Sequence, residues 1–249
     1  MSAADLHFHL LPGVDDGPSE MEESVELARA AAAEGTGTVV ATPHVRHDYE
    51  TDICGLRDRL ASVRAAIAAA GVRLEVRGGG EVAHEMVARL RQHELEALAQ
   101  GPRGARWILL ETPFAAIGED FHAATDELRQ RGFGVVLAHP ERGADAAVCA
   151  AAGLRRELSA GSLAQVNAMS LAGGHGDDAE AAALSFVREG VVAVVASDAH
   201  GPTRPPALAI ARRAMLDRGV PALIARDLTG LATRRLLSRG MTRARVLAA

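Results

Sequence analysis

Two histidines, His7 and His9, flank Phe8 at the end of the first apolar run of a 249-residue chain, and Asp198 and His200 flank Ala199 after the last such run. Side chains two apart on an extended segment share a face, so each pair can grip one ion. Imidazole with carboxylate is a donor set that borderline divalent metals accept. His44, Glu81, Glu111 and His139 follow the apolar runs in between. The chemistry open to such a set is metal-assisted hydrolysis.

The elements that must position these residues can be read from hydrophobic periodicity. Apolar runs at 5–10, 38–42, 72–76, 106–110, 135–138, 163–167 and 191–196 read as seven strands. They recur at a spacing of roughly 30 residues, the size of one βα unit. Ser19-x-x-Glu22 reads as a capping box opening a first helix. Leu56, Leu60, Val63 and Ile67 form the apolar stripe of a second. Further helices are predicted over 85–99, 119–131, 179–189 and 207–218, with a terminal helix and a short solvated tail in the last 20 residues. Strands alternating with helices imply a parallel sheet. If that sheet closes into a barrel, the carboxyl ends of all its strands open on one face. Taken singly, a histidine or carboxylate at a strand end is an ordinary cap or loop residue. Six of seven predicted strands end this way, however, and strand six ends at Asn167.

Composition narrows the function further. A net charge of -5 and an aromatic content of 3% argue against the basic, ring-lined groove of a nucleic-acid binder. All 27 basic residues are arginine, so mechanisms needing a Schiff-base lysine, a P-loop lysine or a carbamylated lysine bridge are excluded. Cys54 and Cys149 lie far apart and form no zinc knuckle or disulfide framework. Asp5, His7 and His9 interrupt any signal peptide, and no apolar run reaches the 18 residues of a membrane span. The expectation is a cytoplasmic protein. His84, His93, His122 and His175 are expected at the surface. Cys149 and Arg155 show the Cys-x5-Arg spacing of thiolate phosphatases. The residues around them read as helix, whose interior N–H groups are already bonded and cannot cradle a phosphate.

The segments DLHFHLLPGVDDGPSEMEES (5–24), ATPH (41–44), GGEV (79–82), LLET (109–112), LAHPER (137–142), QVNAMSLAG (165–173), ASDAH (196–200) and TRPP (203–206) resemble the polymerase and histidinol phosphatase (PHP) superfamily. The likeness is greatest to its bacterial CpsB/YwqE-type protein-tyrosine phosphatases of capsule and exopolysaccharide operons. The resemblance implies one α/β domain over residues 1–249, a distorted (β/α)7 TIM-like barrel, with a C-terminal helix and tail from about 221. It also implies three divalent ions, manganese foremost, with iron or zinc compatible. His7, His9, Glu81 and Asp198 would hold one, and Glu81, Glu111 and His139 a second. Asp16, His44 and His200 would hold the third, with Asp15 the alternative to Asp16. Arg142 and Arg204 match arginines that contact the substrate phosphate. The loop from Pro43 to Thr51 departs from the more basic family pattern, carrying Asp48 and Glu50 beside Arg46.

Asp16, Glu81, Glu111 and Asp198 contribute a charge of about -4 and three divalent ions about +6, leaving about +2 for an incoming anion. That balance suits a phosphomonoester dianion. The implied reaction is direct attack on phosphorus by metal-activated water, with His44 or His200 able to assist the leaving group through a water. The implied substrate is a phosphotyrosine protein, including a tyrosine kinase of polysaccharide export. A histidinol-phosphatase-like activity, a nuclease, and a non-enzymatic assembly role in a homo-oligomer are the alternatives.

Overall fold

The computed structural model describes residues 2–49, 51–144 and 152–241. Nine strands run parallel to their neighbours: β1 (Ala3–Phe8), β2 (Thr36–Ala41), β3 (His44–Val45), β4 (Glu75–Gly78), β5 (Glu81–Ala83), β6 (Trp107–Glu111), β7 (Gly134–Ala138), β8 (Leu163–Asn167) and β9 (Val192–Ala196). They form two sheets, ordered β1-β2-β4 and β3-β5-β6-β7-β8-β9. The strands expected at 38–42 and 72–76 are each followed by a second short strand, β3 and β5, that lies beyond the expected bounds. Pro43, which lacks an N–H to donate, separates β2 from β3. Gly79 and Gly80 separate β4 from β5, and a Cβ on Gly80 would lie 2.5 Å from Leu98 Cδ2, so a larger residue there would have to displace the buried Leu98 side chain.

The two sheets form one ring of seven staves. Gly79 N–H donates to Ala41 O and Glu81 N–H to Pro43 O, carrying the pairing across both breaks. A single parallel bridge, Phe8 with Ala199, joins the last stave to the first, supported by Asp198 N–H to His7 O and His9 N–H to Ala199 O. This is an α/β TIM-like fold with the predicted seven staves.

The helices are α1 (Met21–Ala33), α2 (Leu56–Ala69), α3 (Gln92–Leu98), α4 (Glu119–Gln130), α5 (Ala152–Ser159), α6 (Ala168–Leu171), α7 (Asp177–Glu189), α8 (Leu208–Asp217), α9 (Ala222–Arg226) and α10 (Ala232–Arg239). The predicted stripe of α2 is buried at Leu60, Val63 and Ile67. The expected capping box is displaced: α1 begins at Met21, and the Ser19 N–H and Oγ–H both donate to Glu23, not Glu22. The helix expected over 85–99 is two pieces, a 3₁₀ turn at His84–Arg89 and α3, because Leu90 and Arg91 are extended.

Strand side chains alternate between two cores. Ile108, Leu110, Val135, Leu137 and Val195 pack against the helical layer. Trp107, Leu109, Val136, Ala138, Val194 and Ala196 share a cluster with Leu6 and Val40 of β1 and β2. Residues from strands so far apart in sheet order can meet only across the ring, so this cluster is its interior. Ala232, Leu236 and Leu237 of α10 join it, plugging the end opposite the strands' carboxyl ends. Burying large apolar side chains here, each about 1.5–3 kcal/mol, leaves those carboxyl ends to carry polar groups.

Candidate metal centre

Every one of the nine residues proposed as ligands lies at the carboxyl end of a stave, or in the loop that follows it. Eight are buried and Asp16 is partly exposed. Glu111 continues the interior face of Trp107 and Leu109. His139 and Asp198 follow β7 and β9 with φ of 38° and 54°, and they are the only non-glycine residues at positive φ among the described residues. Backbone held in this sparsely populated region is typical of functional sites.

His7 Nδ1 bonds Gln165 Oε1 at 3.0 Å and His9 Nδ1 bonds Asp15 Oδ2 at 2.7 Å. With Nδ1–H committed as donor, each neutral ring turns an Nε2 lone pair the other way. The two Nε2 atoms lie 3.2 Å apart. His7 Nε2 is 3.2 Å from both Glu81 Oε2 and Asp198 Oδ1, and His9 Nε2 is 3.4 Å from both. Five of the six edges among these four atoms thus measure 3.2–3.4 Å, and a regular tetrahedron with such edges has its centre about 2.0 Å from each corner, the length of a zinc bond to nitrogen or oxygen.

Two more donor groups adjoin the first. His9, Asp16, His44 and His200 form one, and His44, Glu81 and Glu111 the other. His200 Nε2 lies 3.1 Å and His44 Nε2 3.5 Å from Asp16 Oδ1. His44 Nδ1 is 2.9 Å from Glu81 Oε2, and His139 Nε2 is 3.0 Å from Glu81 Oε1. The groups therefore share His9, Glu81 and His44. By proximity His9 also stands near the Asp16 group and His44 near Glu81 and Glu111, while His139 meets Glu81 from the other side of its carboxylate. Asp15 is not among these groups. Its carboxylate accepts from His9, from the His44 N–H and from the Gly17 N–H.

Glu81 Oε2, Asp198 Oδ1, His44 Nδ1 and His200 Nε2 are buried and make no aligned hydrogen bond despite their close neighbours. Buried polar atoms seldom go unpaired, and four of them converging as lone pairs fit a set of cations. The electrostatics agree. Burial works against charge on His7, yet Glu81 and Asp198 outweigh it and push the imidazole up to about 9. Burial would raise Glu81 and Asp198, but the histidines beside them hold both well below the usual carboxylate range. Glu111 is pushed up by burial and by Glu81. The carboxylates demand positive charge, and a divalent ion supplies it without protonating the ligands.

Arginines close the rim. Arg204 bonds Asp198 Oδ2 at 2.9 Å and Asp16 Oδ2 at 3.1 Å, and Arg142 lies 3.5 Å from Asp198 Oδ2. Asn167 Nδ2 donates to the same Oδ2 at 2.8 Å. Asp198 is thus divided, with Oδ1 facing the histidines and Oδ2 gripped by three donors.

Several polar residues take roles that the local sequence does not signal. Arg46 bonds Glu111 at 3.1 Å and Asp48 through Nε and Nη2. Asp5, pushed up to about 7 by burial, accepts from the His7 and Ser197 N–H groups and ties β1 to β9. His175 was expected at the surface but is partly buried. Its Nδ1 lies 2.9 Å from Ser170 Oγ, which donates to the buried Glu141, and burial with nearby Arg142 pushes it down to about 4. His122, also expected at the surface, is buried 2.5 Å from Glu157. No periodicity marks such residues, because a polar side chain in an apolar slot is explained only by its distant partner. Glu50 and Cys149 lie outside the described residues.

A family profile described as "Capsular polysaccharide synthesis, CpsB/CapC" matches residues 3–229. The chain belongs to this family. Among CpsB/CapC relatives, CapC of Staphylococcus aureus is 31% identical over 206 residues, covering 81% of this chain and 78% of that protein. The tyrosine-protein phosphatase YwqE of Bacillus subtilis is 30% identical over 199 residues, covering 79% and 76%. The crystal structures of YwqE and of Streptococcus pneumoniae CpsB are described as metal-dependent tyrosine phosphatases; the matching chain superposes with a TM-score of 0.81 at 27% identity, over 96% of this chain and 95% of that one. An organophosphorus hydrolase from Deinococcus radiodurans, at 18% identity and a TM-score of 0.55 over 95% and 93% of the two chains, shares the barrel fold. No helix among the described residues is long and apolar enough to cross a membrane.

Proposed function

We propose that this CpsB/CapC family member is a metal-dependent phosphomonoesterase whose substrate is phosphotyrosine in proteins. The observation that carries the reading is the set of three donor groups joined through His9, Glu81 and His44, bordered by Arg142 and Arg204. Relatives named as tyrosine-protein phosphatases support the tyrosine assignment. We assign His7, His9, Glu81 and Asp198 to one ion, Glu81, Glu111 and His139 to a second, and Asp16, His44 and His200 to a third. Manganese is the proposed metal.

Bound ions would supply an activated water and a Lewis acid for the phosphoryl oxygens. The protein's own groups do the rest. Gln165 and Asp15 hold the His7 and His9 rings with Nε2 free. Arg204 and Arg142 present planar N–H forks to the phosphate oxygens, and Asp198 Oδ2 sets their orientation. Arg46 holds Glu111 in place. Phenol, with a pKa of about 10, leaves more readily than an aliphatic alcohol, so tyrosine phosphate needs little proton donation. We further propose a cytoplasmic location, a polysaccharide-export tyrosine kinase as the partner, and a homo-oligomeric assembly.

Turnover of a phosphotyrosine peptide, histidinol phosphate and single-stranded DNA, with and without added manganese, tests the reading. Preferential, manganese-dependent release of phosphate from the peptide is the expected result. Preference for histidinol phosphate or for DNA ends would overturn the substrate, and metal-independent turnover would overturn the mechanism.

A further inference from the structure

The chain has only seven aromatic side chains: five Phe, one Trp and one Tyr. Five of them, Phe8, Trp107, Phe121, Phe133 and Phe186, are buried in the core. The other two, Tyr49 and Phe114, reach the surface, and both do so at the metal centre. Tyr49 lies parallel to His44 with ring centroids 5.5 Å apart and an interplanar angle of 5°. Phe114 lies parallel to His139 at 6.1 Å and 8°. Each ring also carries a guanidinium, Arg46 at 6.0 Å from Tyr49 and Arg142 at 4.8 Å from Phe114. The same arrangement of imidazole, aromatic ring and arginine is therefore built twice. One copy follows β3 and the other lies at the ends of β6 and β7, so the two flank Glu81 and Glu111 in sheet order.

Phe114 is 50% exposed, although burying such a side chain is worth about 1.5–3 kcal/mol. Beside it a cleft of about 140 Å³ opens, bordered by Arg46, Ala83, Glu111 and Thr112. A phosphate held at the metal centre must extend its ester group out past this rim. We infer that Phe114 and Tyr49 are specificity-determining residues that pack against the ring of an aryl phosphate and select it over an alkyl phosphate. The inference rests on the phosphomonoesterase reading and adds to it the residues that recognise the leaving group. Aromatic pairing adds roughly fivefold in affinity per ring beyond area burial, which alkyl esters cannot gain.

The rings could instead serve only to steady the imidazoles beneath them. In that case their loss would slow every ester alike, so the ratio of aryl to alkyl kcat/KM separates the two roles. On the manganese-loaded protein, with phosphotyrosine and phosphoserine peptides of one sequence, Phe114→Leu and Tyr49→Leu should each lower that ratio about fivefold, mainly through KM. Phe114→Tyr and Tyr49→Phe, which keep the ring, should preserve it. Calorimetric binding of phenylphosphonate and methylphosphonate gives a second reading that needs no turnover: wild type should favour the phenyl compound, and the double Leu variant should lose most of that preference. Unchanged ratios, or proportional loss on both peptides, would overturn the inference. If wild type hydrolyses neither peptide, the phosphatase reading fails, and the phosphonate comparison still decides whether the two rings recognise an aryl group.

Discussion

The Nε2 atoms of His7 and His9 face each other across 3.2 Å, each ring anchored from behind, His7 by Gln165 and His9 by Asp15. Two lone pairs at that separation repel unless a proton or a metal ion lies near both. Glu81 Oε2 and Asp198 Oδ1 complete the group, so the fold holds four donors where a single cation relieves all of them.

Removing a donor should remove the metal. His9→Ala and Asp198→Ala are expected to abolish phosphate release and lower bound metal, measured by elemental analysis, while circular dichroism stays native. Full activity in either variant would refute the assigned centre.

The anchors behind the rings should matter nearly as much. Asp15→Asn and Gln165→Leu leave the ligands in place but release their orientation, and outer groups of this kind are worth about 10- to 100-fold in metal affinity. Competition with a chelator measures the loss, and unchanged affinity in both variants would show that the hydrogen bonds do not position the rings.

Proton and metal compete for His7. Because the folded pKa is pushed up to about 9, above the ordinary value near 6.5, its contribution to the stability of the metal-free chain is complete below pH of about 6.5 and is lost as pH rises through about 9. Metal affinity runs the other way, rising with pH over that window because binding displaces the proton. Thermal melts of chelated protein should therefore fall across this range and flatten in His7→Gln, and metal titrations should release protons into weak buffer. A melting curve independent of pH would contradict the assignment.

A different polar network should affect stability alone. Glu157 joins α5 to α4 by accepting from His122, Thr125, Arg129 and Ser162, and it is buried. Breaking a buried charged network costs about 3 kcal/mol, or roughly 6–12 °C in Tm for a chain of this size. Glu157→Ala should show that drop with kcat/KM at low temperature preserved. A loss of kcat/KM without a loss of Tm would place this network in the catalytic machinery.

Much of the architecture was legible in the chain because it is repetitive. The strand β6 as a continuous apolar run, the buried face of α2 and the extent of α4 follow from local patterning, which needs no knowledge of partners. The short strands β3 and β5 beyond Pro43 and Gly79-Gly80 are not legible in the chain, since strands of two and three residues leave almost no periodic signal. The helix expected over 85–99 is interrupted because Leu90 and Arg91 turn extended, a tertiary choice within a segment of good helical pattern.

By itself the sequence determined the donor inventory: which residues stand at strand ends, that none of the cations is lysine, and that the acidic groups exceed what the nearby arginines neutralise. Tertiary structure decided which donors share an ion. Asp15 and Asp16 are adjacent and chemically identical, yet one turns to His9 Nδ1 and the other to His200 and His44. That division depends on where a ring from another stave lies, and the local chain carries no signal of it. The same holds for Tyr49 and Phe114, ordinary aromatics in sequence, which closure of the ring sets against His44 and His139 at the mouth of the site.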